Sequence, residues 1–119
     1  MIAKILAASA FLLVSAGLAL ADPVGSYNVH GTNPKGHGTY SGTVTVQKTG
    51  DTYKVKWVIG DSTYTGTGIG SDKFIAVTYT SDDDQTGLAL YAQSAGGGWE
   101  GVWTYTGSRN IGTENWTAK

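Results

Sequence analysis

The chain has 119 residues, a formal net charge of −1, 14% charged residues, 18 Gly, 2 Pro and no Cys. That length suits one domain, and the near-neutral charge supplies no basic field for nucleic acid. Without cysteine there is no disulfide framework, thiolate metal site or cysteine nucleophile.

Chain order begins with an apolar run. One positive charge, Lys4, precedes the small and apolar stretch Ile5 to Ala21, which ends Ala19-Leu20-Ala21 before Asp22-Pro23. This pattern predicts a cleaved signal peptide over 1–21, with a single domain over 22–119. A transmembrane anchor is the competing reading of such a run, but no basic stop-transfer flank follows it. The remaining chain keeps seven of the eight Lys and Arg and all nine acids, a net −2. Export without disulfides points to a bacterium, with the protein in the periplasm, secreted or at the cell surface. No membrane span is expected after cleavage.

Beyond Ala21 the periodicity is two throughout. Strands are predicted at 25–32, 38–48, 52–59, 63–70, 73–80, 87–93, 99–106 and 111–118. The breaks between them are short and carry Gly, Pro, Asn or Asp, so neighbouring strands must run antiparallel. Tyr27, Val29 and Gly31 share a face of the first strand; Tyr40, Gly42, Val44 and Val46 share one of the second. Tyr53, Val55, Trp57 and Ile59 do so in the third, and Trp99, Gly101, Trp103 and Tyr105 in the seventh. The opposite faces read as Thr, Ser, Lys and Gln. One dry and one wet side over eight strands predicts an all-β, eight-stranded antiparallel up-and-down β-barrel, because closure removes both bare edges. The hydroxylic outer face argues against a membrane barrel. Inner-face glycines Gly42, Gly66, Gly68, Gly101 and Gly112 suit a tightly bent wall.

Candidate chemistry is sparse. His30 and His37 lie at the first hairpin and form no Ser-His-Asp order or metal set, so no catalytic residue, metal site or cofactor is expected. Asp82-Asp83-Asp84 reads as a loop tip without the spacing of a calcium loop. Glu114 shares a face with Gly112 and Trp116 and is therefore read as inward-facing. A buried carboxylate needs partners, for which Arg109 and inner tyrosine hydroxyls are the candidates. Its role is either a hydrogen-bonded structural acid or a polar anchor for a ligand. The lumen residues assigned to ligand binding are Trp57, Trp99, Trp103, Glu114 and Trp116; the full inner aromatic lining, which adds Tyr27, Tyr40, Tyr53, Tyr64, Tyr79 and Tyr105, suits either a ligand cage or a packed core. Phe74, Ile69 and Tyr91 are read as off the inner phase and hence as a candidate outer patch.

The segments Gly25-Ser26-Tyr27-Asn28-Val29-His30-Gly31-Thr32-Asn33-Pro34, Tyr40-Ser41-Gly42-Thr43-Val44, Trp99-Glu100-Gly101-Val102-Trp103-Thr104 and Gly112-Thr113-Glu114-Asn115-Trp116 together resemble small exported bacterial proteins commonly labelled fibronectin-binding protein. In shape the chain is similar to avidin-like and lipocalin-like barrels, through its Gly-x-Tyr opening and Trp-rich late strands. The resemblance implies an exported, non-enzymatic binding protein with an extracellular protein such as fibronectin as partner. The residues alone leave a small apolar ligand in the lumen as the alternative, and an enzyme as the least supported reading.

Overall fold

The computed structural model describes residues 22–119; the signal peptide expected over 1–21 lies outside the described residues. Eight strands follow one another: β1 (Gly25–Thr32), β2 (Thr39–Thr49), β3 (Thr52–Ile59), β4 (Ser62–Gly70), β5 (Phe74–Ser81), β6 (Thr86–Gln93), β7 (Trp99–Tyr105) and β8 (Gly112–Ala118). Each pairs antiparallel with the next, and β8 returns to pair with β1, so the sheet is a closed barrel. The only helical element among the described residues is a single 3-10 turn, Pro34–Gly36, between β1 and β2. Its Pro34 is buried.

The two ends of the barrel are built differently. At one end the chain just before β1 folds inward: Pro23 is fully buried, and its carbonyl accepts a 2.8 Å hydrogen bond from the Tyr27 hydroxyl. Tyr27, Val46, Tyr53, Ile75 and Trp99 fill the lumen beneath it. Toward the other end, at the β1–β2, β3–β4, β5–β6 and β7–β8 connections, the inner residues Tyr40, Ile59, Tyr64, Tyr79 and Trp103 are only partly buried. An eight-stranded barrel is just wide enough for side chains to fill or for one small ligand. Here half of it is filled.

The predicted inner phases of β1, β2, β3 and β8 agree with the burial pattern, whereas β6 is inverted. Gly87, Ala89 and Tyr91 point inward, while Leu88 and Leu90 are more than half exposed. The segment Leu88-Ala89-Leu90-Tyr91-Ala92 is apolar on both phases, so alternation cannot choose between them. Register chooses: Tyr91 lies opposite Gly101, which leaves room for its ring inside. Tyr105, expected inside, is 44% exposed because β7 ends there and the ring stands at the rim. The outer face is also less hydroxylic than expected. Ile69, Ala76, Leu90 and Val102 are successive cross-strand partners over β4 to β7 and form an apolar row, with Phe74 and Leu88 exposed nearby.

Candidate functional site

One row of cross-strand partners builds the site. Tyr40 on β2 lies opposite Gly31 on β1; Gly31 lies opposite Glu114 on β8; Glu114 lies opposite Gly101 on β7; Gly101 lies opposite Tyr91 on β6. The order Tyr-Gly-Glu-Gly-Tyr thus runs around the inner wall. Strands are about 4.8 Å apart, so a tyrosine two strands away reaches the carboxyl group only by lying flat over the strand between. Glycine in that strand permits it. A Cβ placed on Gly31 would sit 2.1 Å from Tyr40 Cζ, and one on Gly101 would sit 2.2 Å from Tyr91 Cδ1. The same device recurs at the rim, where Tyr79 crosses Gly87 and Trp103 crosses Gly112.

Glu114 is 4% exposed and accepts four hydrogen bonds. The Tyr40 hydroxyl donates to Oε1 at 2.6 Å. Oε2 accepts from the Tyr91 hydroxyl at 2.6 Å and from the indole N–H groups of Trp57 and Trp116 at 2.9 and 2.8 Å. These distances are in the short range of charge-assisted bonds. Indole N–H can only donate, so Oε2 is held as a pure acceptor, which suits a carboxylate. The partners are phenols and indoles; the exposed Arg109, a candidate from sequence, is not among them. A buried carboxylate is costly unless it is hydrogen-bonded, and here neutral donors occupy Oε2 fully and Oε1 in part.

The phenols respond to this environment. Burial, reinforced by the neighbouring Glu114 charge, pushes the Tyr40 and Tyr91 hydroxyls well above the usual tyrosine range. Burial raises Tyr79 to about 12, with Tyr64 and Glu114 adding to it. Both Glu114-bound phenols must keep their protons to donate. In the unfolded chain tyrosines ionise near pH 10. This stabilisation is therefore complete below about pH 10 and lost as pH rises above it. On alkaline titration followed by tyrosinate absorbance, Tyr40 and Tyr91 should ionise only together with cooperative unfolding. Their ionisation while the far-ultraviolet dichroism remains native would contradict the geometry.

Above the carboxylate is a cavity of about 150 Å³. Its walls are Tyr40, Trp57, Tyr64, Tyr79, Tyr91 and Trp103, with Ile59, Ala89 and Asn33 completing them and Glu114 at the inner end. The rings meet edge to face: Tyr40 with Trp103 at 6.1 Å between centroids, Trp57 with Tyr79 and Tyr64 with Tyr79 each at 5.9 Å. Such pairs favour this arrangement and hold one another in place. Asn33 is anchored by its own side-chain amide, which donates to the His37 carbonyl at 3.1 Å.

Of the residues assigned to the lumen from sequence, Trp57, Trp103 and Glu114 line the cavity. Trp116 does not; it lies behind Glu114, stacked 4.2 Å from Tyr91, and acts by fixing the carboxylate. Trp99 belongs to the plugged end and is 1% exposed. Period two gives the face of a residue but not its height in the barrel, and for that reason Trp99 and Trp103 read alike in the sequence. Tyr40, Tyr64 and Tyr79 are expected on the inner face without being assigned to the ligand, and Tyr91 is expected outside; all four line the cavity. For Tyr40, Tyr79 and Tyr91 the signal was a place opposite a glycine once hairpin registers are drawn; Tyr64 lies opposite Trp57 and Ser81 and was legible by phase alone. Elsewhere, His30 is exposed with Nδ1 3.0 Å from Ser41 Oγ, and Asp82 accepts from the Thr63 amide. Among the described residues no cluster of three or more His, Cys, Asp or Glu is placed to hold a metal ion.

The Tyr40–Gly31 contact is directly testable. Gly31→Ala should cost about 1–3 kcal/mol in urea unfolding, the usual penalty of overpacking. In a Tyr40→Ala background the same substitution should cost far less, since the clashing ring is gone. Equal costs in both backgrounds would mean that the ring does not cross the glycine.

Fold and site together define a small closed β-barrel with one plugged end and one aromatic cavity floored by a carboxylate. No family model matches the sequence, and no curated protein matches it. Among solved structures it is similar to a de novo designed fluorescence-activating β-barrel, with a TM-score of 0.63 and 15% identity over 86% of this chain and 98% of that one. At that identity the likeness concerns the fold alone.

Proposed function

We propose that the protein is an exported, non-enzymatic binder of a small ligand held in the open half of the barrel. One observation carries this reading: the lumen is filled at one end and left as an aromatic cavity at the other, around a carboxylate already oriented by four donors. Ligand sites are largely apolar and aromatic with a few placed polar groups. An apolar cavity of about this volume in another protein accepts benzene, so the ligand is compact, on the scale of one ring. The designed barrel to which the fold is similar is described as fluorescence-activating, which is in keeping with a barrel of this size taking up a small molecule. Fibronectin, implied by the sequence resemblance, draws no support from either the site or the comparisons.

Ala89 is buried and lines the cavity. Ala89→Leu fills that space with apolar volume and leaves Glu114 and its donors in place. Titrating compact one-ring and alkylammonium compounds against intrinsic tryptophan fluorescence should reveal at least one ligand for the native protein. The Ala89→Leu protein, still folded, should bind it at least tenfold more weakly, about 1.4 kcal/mol. Equal binding by both proteins would place the ligand elsewhere and refute the proposal.

A further inference from the structure

We infer that the cavity takes a small methylated ammonium ion, an inference that rests on the ligand-binding reading above. Three observations converge on this class. The first is charge: Glu114 is buried, and its partners are phenols and indoles rather than a basic side chain. A cation entering the cavity supplies the opposite charge that the fold does not. An anion would meet the carboxylate head-on.

The second is the wall. Tyr40, Trp57, Tyr64, Tyr79 and Trp103 surround a space of about 150 Å³. Ring faces are negative, and a cation within about 6 Å of several of them gains from each, more so where water is excluded. A neutral aliphatic guest of equal size would gain the same burial but no charge attraction to the ring faces.

The third is the count of acceptors. An ionised carboxylate has about four lone-pair sites. Oε2 is crowded by three donors, while Oε1 takes only Tyr40. The residue therefore retains one accepting direction, on the oxygen bound by Tyr40. A bare ammonium carries several N–H donors, and stripping its water without replacing each bond is costly. A methylated ammonium has few or no N–H groups to satisfy and spreads its charge over methyl groups that fit between rings. One spare acceptor and several ring faces match it better than they match ammonium.

The test uses four probes on the same protein by calorimetric titration: tetramethylammonium, choline, ammonium, and the neutral isostere of choline in which a tert-butyl group replaces trimethylammonium. Choline should bind at least about tenfold tighter than its isostere, and tetramethylammonium at least tenfold tighter than ammonium. Glu114→Gln should abolish the preference of choline over the isostere. Should that variant fail to fold, Tyr64→Leu serves instead: it removes a ring at the open end that is not bonded to Glu114, and it should weaken choline while leaving the isostere unchanged or improved. Isostere binding equal to or tighter than choline overturns the cation inference but leaves a small-ligand site standing. No binding of any of these probes, when one-ring compounds do bind in an Ala89-dependent way, likewise overturns only the inference. Absence of binding by every compound refutes the ligand-binding reading along with it.

Discussion

Trp116→Ala should be among the most damaging single substitutions in the barrel. Trp116 is 1% exposed, lies against Tyr27, Trp57 and Tyr91, and donates its indole N–H to Glu114 at 2.8 Å. Deleting a large buried aromatic side chain costs about 3–5 kcal/mol. Loss of a hydrogen bond to a charged acceptor adds about 1.5–3 kcal/mol. Domains of this size hold about 5–15 kcal/mol in total, so the variant should be substantially unfolded or melt far below the native protein. Trp116→Phe loses the donor and part of the indole volume but keeps a six-membered ring, and it should cost more than the hydrogen bond alone and less than Trp116→Ala. A Trp116→Ala protein within about 0.5 kcal/mol of native, as at ordinary surface sites, would mean that β8 has been assigned the wrong face.

Glu114→Ala should be comparably severe for a different reason. The side chain itself buries little apolar area, but three of its four donors, the Trp57 and Trp116 indoles and the Tyr91 phenol, are in buried bonds. Each buried donor left unmatched costs about 1–3 kcal/mol, partly recovered where water from the cavity takes the vacated place. The net loss should be about 3–5 kcal/mol by chemical denaturation. Glu114→Gln retains one oxygen, which can serve the three donors now on Oε2, and should cost only about 1.5–3 kcal/mol. Equal losses for Ala and Gln would indicate that the charge, rather than the accepting oxygen, carries the stability. Negligible losses for both would place Glu114 in water.

The strands were legible because this sequence alternates cleanly wherever one phase is hydroxylic: Tyr53 to Ile59 with Lys54 and Lys56 between them is the plainest case. Each predicted strand lies within one residue of the observed bounds at either end. The inward direction of Glu114 followed from sharing a phase with Trp116. That tyrosine hydroxyls could serve it was foreseen, but which ones, and the two indoles beside them, did not follow, because the donors come from β2, β3, β6 and β8 and meet only after closure sets the register. Of the two kinds of partner considered, tyrosine hydroxyls are used and Arg109, the chain's only arginine, is not: neutral donors can be buried without a second desolvated charge. The inversion of β6 has a simpler cause. With Leu on one phase and Ala and Tyr on the other, hydrophobicity does not discriminate, and the decision falls to the space over Gly101. Height along the barrel axis was likewise invisible, which separated Trp99 from the residues of the cavity.

The two halves of the barrel give the functional account its sharpest test. Trp57 joins the cavity wall to Glu114 and Trp116 backs the carboxylate, whereas Trp99 is sealed at the opposite end. Their indole N–H resonances can be followed separately by nuclear magnetic resonance, assigned through single Trp→Phe variants, while a bound compact ligand is titrated in. The Trp57 and Trp116 indole signals should shift saturably with one dissociation constant, with little movement of Trp99. Shifts confined to Trp99, or to amides of the outer row Ile69, Ala76, Leu90 and Val102, with Trp57 and Trp116 unmoved, would contradict it.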